Sequence, residues 1–163
     1  MNKDNRTPSK KQEDIDFGDV AADEIHSIIQ KRISNKTANV IRFKKGMLGW
    51  SAKKDQENGD IFIEKQNGNT IKADVKRGRR NGEVFISYIS ATEFKGDGFI
   101  LTPYDMDPLK TWYVPAHSIK AYINKVASSG NLIILEGSNA QGHYFKPSTM
   151  YRSQKFMSWL DDI

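Results

Sequence analysis

Asp60 and the triplet Asp74-Val75-Lys76 are the residues of this chain whose types and spacing are best suited to chemistry. Successive side chains of a strand point to opposite faces, so Asp74 and Lys76 share one face and Ala73 and Val75 the other. The runs that carry them, about 60–66 and 70–77, are separated by Asn67-Gly68-Asn69, a strong hairpin signal. Burial argues the register: Ile61 and Ile63 must lie on the face of Ile71, Ala73 and Val75. Pairing 61 with 75 and 63 with 73 around a three-residue loop, Asn67 to Asn69, achieves this. It predicts Asp60 opposite Lys76 and Phe62 opposite Asp74, with Asp60, Asp74 and Lys76 converging at one end of the sheet.

Two carboxylates held together repel, and with one lysine beside them a divalent cation is the natural resolution. Mg²⁺ binds through one or two carboxylates together with water and substrate phosphate oxygens. A lysine next to such an ion positions the attacking water or stabilises developing negative charge. That is a phosphodiester hydrolysis site in outline, and the competing arrangement is a salt-bridged exposed face. An acid, any residue and a lysine also occur at Glu93-Phe94-Lys95. That copy sits in a connection ahead of Gly96-Asp97-Gly98, with no hairpin partner to offer a second acid, and reads as a coincidence of composition.

The elements that must position these residues follow from the rest of the chain. At 163 residues, 37% hydrophobic and 28% charged, it has the length of one domain. Residues 1–16 are polar and mixed in charge and read as a disordered arm, leaving 17–163 as a single domain. From Asp19 to Ile33 the positions Ala21, Ile25, Ile28, Ile29 and Ile33 recur at helical spacing, predicting a first helix. "ANVIRF" (38–43) reads as a strand, with "GMLGWSA" extending it or turning off it. "EVFISYI" (83–89), "GFILTPY" (98–104), "TWYVPA" (111–116) and "NLIILEG" (131–137) are further strands. Ser90 to Glu93 would form one helical turn, and "HSIKAYINKV" a second helix with Ile119, Tyr122, Ile123 and Val126 on one side. The expected class is α+β, a leading helix followed by a mostly β middle.

Composition excludes several alternatives. With no cysteine, disulfide frameworks, thiol nucleophiles and cysteine-based zinc sites are ruled out. His26, His117 and His143 are scattered. The N-terminus has no apolar core of the signal-peptide kind and no apolar run reaches membrane-spanning length, so a cytoplasmic location without membrane association is expected.

These residues and their layout resemble the PD-(D/E)XK nuclease superfamily, restriction-endonuclease-like proteins whose core is a helix, a three-stranded meander carrying the catalytic acids, then a helix and a further strand. The match runs over roughly residues 18–126, including the similar "EVFISYI…DGFILTPYD…TWYVPAHSIKAYI" layout, in which a strand ending in Val-Pro leads into a helix. The resemblance implies an α/β/α-like mixed sheet and an Mg²⁺-dependent endodeoxyribonuclease of restriction, repair or recombination type, with Mn²⁺ as the expected substitute. Asp60 and Asp74 would bind the metal with the Val75 carbonyl, Lys76 would assist the water, and Glu24 would contribute through water. Gly59 stands where the eponymous proline is expected, Asp74 where glutamate is more frequent, and residues 83–89 read as strand where the family has its second helix.

The charge balance agrees with a polyanionic partner: the formal net charge is +5, and residues 25–54 hold eight Lys or Arg and no acid. Lys44, Lys45, Lys53 and Lys54, with Arg77, Arg79 and Arg80 of "KRGRR", are the expected DNA contacts, and they position a backbone without reading bases. Trp50 would stack on a base or, more in keeping with tryptophan's size, pack in the core. A homodimer cutting both strands is a further expectation. Two other readings remain open: a non-catalytic nucleic-acid-binding module of the same fold, and a subunit that docks its aromatic-rich C-terminal half onto a partner.

Overall fold

The computed structural model describes residues 6–33, 38–44, 47 and 50–163. Helix α1 (Pro8–Ile33) buries Ala21, Ala22, Ile25, Ile29 and Ile33 against the sheet. It starts well before the apolar stripe, within the segment expected to be an unstructured arm. Charge rather than apolar burial holds its first turns. Asp14 pairs with Arg6 at 2.9 Å, Lys10 at 3.2 Å and Arg79 at 2.8 Å, and the Arg77 guanidinium lies 4.2 Å from the centre of the Phe17 ring. A pattern search for apolar residues does not see such anchors.

Strands β1 (Asn39–Arg42), β2 (Ile61–Glu64), β3 (Thr70–Arg77), β5 (Gly98–Thr102), β6 (Trp112–Pro115) and β9 (Gln154–Lys155) form a mixed sheet in the order β1-β2-β3-β5-β6-β9. The β3–β5 pair is parallel and its neighbours are antiparallel. A smaller antiparallel sheet has the order β4-β8-β7, from β4 (Val84–Ser87), β7 (Ile133–Ile134) and β8 (Gln141–Phe145). The molecule is thus of mixed α+β class.

Alternation along β3 sorts the core into two clusters. Ala73 and Val75 join Ile61, Ile63, Ile100 and the buried residues of α1 and of α5 (Phe156–Asp161) on one face. Phe99, Leu101 and Val114 pack on the other against α3 (Tyr88–Glu93), α4 (Ala116–Ser128) and Phe145 of the small sheet. Asp74 and Lys76 lie level with Phe99 and Leu101, and so belong to this second face.

The hairpin register differs from the burial argument by two residues: Ile61 pairs with Ala73, Phe62 with Lys72 and Ile63 with Ile71. The loop is Gln66–Gly68 rather than 67–69, closed by Lys65 N–H to the Asn69 carbonyl at 2.8 Å, with Gly68 at φ +86°. Glycine takes the left-handed position of a three-residue hairpin loop at little cost, and that choice moves the loop by one residue and the register by two. Both registers bury the same face, so burial alone could not separate them. Phe62 consequently faces Lys72, whose ammonium lies 5.8 Å from the ring centre, and not Asp74.

Strand β1 ends at Arg42, and of "GMLGWSA" Gly46, Leu48 and Gly49 lie outside the described residues. Ser51 caps helix α2 (Ala52–Asn58), its hydroxyl accepting from the Lys54 N–H at 3.1 Å. The run 83–89 is strand only to Ser87, which in turn caps α3. The strand expected over 131–137 contracts to the exposed pair Ile133–Ile134.

Candidate active site

Helix α2 ends at Gly59, and this glycine sets the position of Asp60. Its φ is +65°, and a Cβ there would stand 2.6 Å from the Ala73 carbonyl oxygen. Proline, locked near φ −65°, is excluded from such a position, which is why the residue before the first acid is glycine. From it the chain brings the Asp60 N–H to the Ala73 carbonyl at 3.0 Å. The Val75 N–H donates to Oδ2 of Asp60 at 2.8 Å.

The Asp60 and Asp74 carboxyl groups meet at hydrogen-bonding range, and Asp74 Oδ2 lies 3.1 Å from the Lys76 ammonium. Lys76 also donates to Oγ of Ser90 on α3 at 3.5 Å. The far side of Asp60 faces Arg42, whose guanidinium is 3.7 Å away. Arg42 is itself almost fully buried and bridges Asp19 at 2.8 Å and Asp23 at 3.0 Å, tying α1 to β1 and to the acid pair.

Burial and the Asp74 charge push Asp60 well above the ordinary carboxylate range, against the opposing pull of the Val75 N–H and Lys76. Burial works against the charge of Lys76, but Asp74 and Asp60 outweigh it and hold the ammonium above its ordinary value. Asp55 of α2 is raised by burial and by the charge of Asp74. Without a cation, therefore, burial beside Asp74 favours the protonated form of Asp60.

That is the donor chemistry of a hard divalent ion. Two recessed carboxylates with a lysine alongside fit Mg²⁺, which keeps several waters and takes further oxygens from phosphate. Among the described residues no group of three His, Cys, Asp or Glu is arranged to hold a metal by itself. Any ion here would rest on the pair Asp60 and Asp74, completed by water and substrate.

The cluster opens into a cleft of about 450 Å³. Gly18 and Asp19 of α1, Trp50 ahead of α2, Asp55 of α2, and Ser90 and Glu93 of α3 contribute to its walls. The Trp50 indole N–H is buried without a well-formed hydrogen bond and opposes the rise of Asp55.

Glu24 is not brought here: it is exposed on α1 and absent from the cleft wall, which takes its α1 acids from Asp14 and Asp19. Helical spacing explains the difference, because the side of α1 that overhangs the cleft lies at its earlier turns, the part expected to be unstructured. Glu93 does reach the cleft, although its triplet reads as coincidence in the sequence. Asp55 lacks any motif; a serine cap at Ser51 followed by an acid one turn later is the only local sign of it.

The basic residues divide. Lys53 and Lys54 are exposed on the first turn of α2, and Lys44 is 3.9 Å from Asp23. Lys45 lies outside the described residues. Arg77 is a packing residue: it sits over Phe17 and Tyr104 at 4.2 and 4.9 Å and donates to the Tyr104 carbonyl at 2.7 Å. Arg79 binds Asp14, whereas Arg80 remains largely exposed with Glu83 at 3.3 Å.

No family model matches the chain. Comparison with curated proteins likewise finds no match. Among the described residues no helix is long and apolar enough to cross a membrane.

Proposed function

We propose that this protein is an Mg²⁺-dependent nuclease that hydrolyses DNA phosphodiester bonds on a restriction-endonuclease-like core. The observation that carries the reading is the meeting of Asp60, Asp74 and Lys76 in one cleft, Asp74 3.1 Å from the lysine and in contact with Asp60. The order of elements supports it: a leading helix, an antiparallel hairpin bearing the acids, and a parallel neighbour for the second of its strands.

Asp60 and Asp74 would hold the metal, which when bound supplies a polarised phosphate and a more acidic water. Lys76 stays protonated and lies on the same side as the acids, so its charge is available to a developing phosphorane and its N–H groups to the attacking water. The Val75 N–H fixes one oxygen of Asp60, and the other lies 3.7 Å from the Arg42 guanidinium. Lys53 and Lys54 lie at the start of α2, whose Ala52 and Asp55 border the cleft, and would hold the flanking phosphates.

Plasmid cleavage in Mg²⁺, its loss on chelation, and its loss in Asp74→Ala and Lys76→Ala with circular dichroism and DNA binding unchanged, test the proposal. Unaltered cleavage in either variant overturns it. A second reading has one observation behind it, the close Lys76–Asp74 ion pair: a non-catalytic nucleic-acid-binding module with a structural charge cluster. It requires salt-sensitive binding with no turnover in either Mg²⁺ or Mn²⁺.

A further inference from the structure

The cleft continues past Lys76. A second cavity of about 570 Å³ shares Asp14, Lys76 and Ile89 with it, so the two form one path over the lysine. The walls change character along that path. The catalytic end is acidic, whereas the second cavity is lined by Phe85 and Tyr88 at the β4–α3 junction, by Asn139 and Gln141 from the β7–β8 turn, and by Arg6 and Arg79 beside α1.

We propose that this cavity receives an unpaired nucleotide of the DNA strand being cut, adjacent to the scissile phosphate; the proposal rests on the nuclease reading. Each wall matches one part of a nucleotide. Aromatic faces stack on any base, because every base has a π-face. The Gln141 side-chain amide offers both a donor and an acceptor to a base edge. At the mouth Arg6 and Arg79 flank the Asp14 carboxylate, and guanidinium groups in such a position suit a phosphate.

The Phe85 ring is set in place beforehand. Gly142 lies beneath it, and a Cβ there would come 2.8 Å from the ring and against the Ile86 carbonyl, so only glycine lets the ring rest over β8. Tyr144 supports it edge-on, with centroids 5.5 Å apart at 70°. Tyr88 is braced through its hydroxyl by Asn124 at 3.3 Å.

Size and shape argue for an unpaired nucleotide over a duplex. The cavity falls in the range of about 300–1,000 Å³ that encloses a small organic ligand. A base must leave its stack to enter such a space, which is least costly where it is already unpaired. A flap, a junction arm or a single strand meets that condition.

Fluorescence anisotropy in EDTA, with a short labelled oligo-dT and a blunt duplex of matched length, tests this apart from any cleavage. Two variants keep the fold question separate: Phe85→Leu, and the turn double variant Asn139→Ala with Gln141→Ala, each checked by thermal melting. The expected result is an oligo-dT affinity lowered about tenfold in a folded variant with duplex affinity nearly unchanged. Equal losses for both ligands, or none for oligo-dT in the double variant, overturn the subsite. If oligo-dT binding falls as expected but Mg²⁺ supports no cleavage, the nuclease reading fails, and with it the placing of the nucleotide beside a scissile phosphate, while nucleotide binding in the cavity stands. If Mg²⁺ supports cleavage while oligo-dT affinity is intact in both variants, the subsite fails and the nuclease reading stands.

Discussion

Asp60 accepts a 2.8 Å hydrogen bond from the backbone N–H of Val75, the residue between the second acid and the lysine. One contact therefore links both arms of the hairpin and fixes the first carboxylate relative to the second, independently of any metal. If the charge at position 76 acts on the transition state, Lys76→Ala should lower cleavage by about 10²–10³-fold, the loss seen when one oriented electrostatic group is removed. Single-turnover cleavage checks this, with anisotropy showing that DNA affinity is retained.

Asp60→Asn should abolish cleavage yet stabilise the metal-free protein, by about 1 kcal/mol or a few degrees in Tm. The amide keeps an oxygen for the Val75 N–H and removes the clash with Asp74. A melting temperature below that of the wild type would contradict this.

The pH dependence has a definite sign. Because folding raises the pKa of Asp60, the native state binds this proton more tightly than the unfolded chain. The resulting stability is present in acid and is lost as pH rises from the ordinary carboxylate range through the raised value. Lys76 is raised as well, so its contribution persists through neutral pH and disappears only in strongly alkaline solution. Metal-free melts should thus show a decline as pH rises above the ordinary carboxylate range that Asp60→Asn flattens, and Mg²⁺ should raise Tm more as pH rises.

Gly59→Ala should destabilise by about 1–3 kcal/mol, since it forces a left-handed residue and a Cβ against the Ala73 backbone. Gly59→Pro should be worse. Urea denaturation measures both, and a tolerated proline would show that the chain can reach Asp60 by another path.

Arg77→Ala should cost about 2 kcal/mol of stability through the lost contacts with Phe17 and Tyr104. Lys53→Ala with Lys54→Ala should leave stability alone and reduce the salt slope of DNA binding by about two. Melting and salt titration of the same variants separate the roles.

Sequence patterning located the strand that bears Asp74 and Lys76, the face they share and the α1 core stripe, because alternation and helical spacing report burial directly. It could not choose between hairpin registers two residues apart, since both bury Ile61, Ile63 and Ala73 alike; Gly68 decided that, through backbone conformation. The first turns of α1 and the true setting of Arg77 escaped for a related reason. Beyond the local pairs of Asp14 with Arg6 and Lys10, they are anchored by Asp14 meeting Arg79 and Phe17 meeting Arg77, and no local window contains both partners of either contact.

The parallel pairing of β3 with β5 has a consequence for how the chain can change. Two strands running the same way cannot be joined by a tight turn, so a long excursion between them is obligatory. Here that excursion carries Ser90 and Glu93, part of the wall facing the acid pair. Trimming it to a shorter linker would break open the chamber even if the sheet still closed, whereas the Gln66–Gly68 loop lines no part of it and bears on it only through the hairpin register.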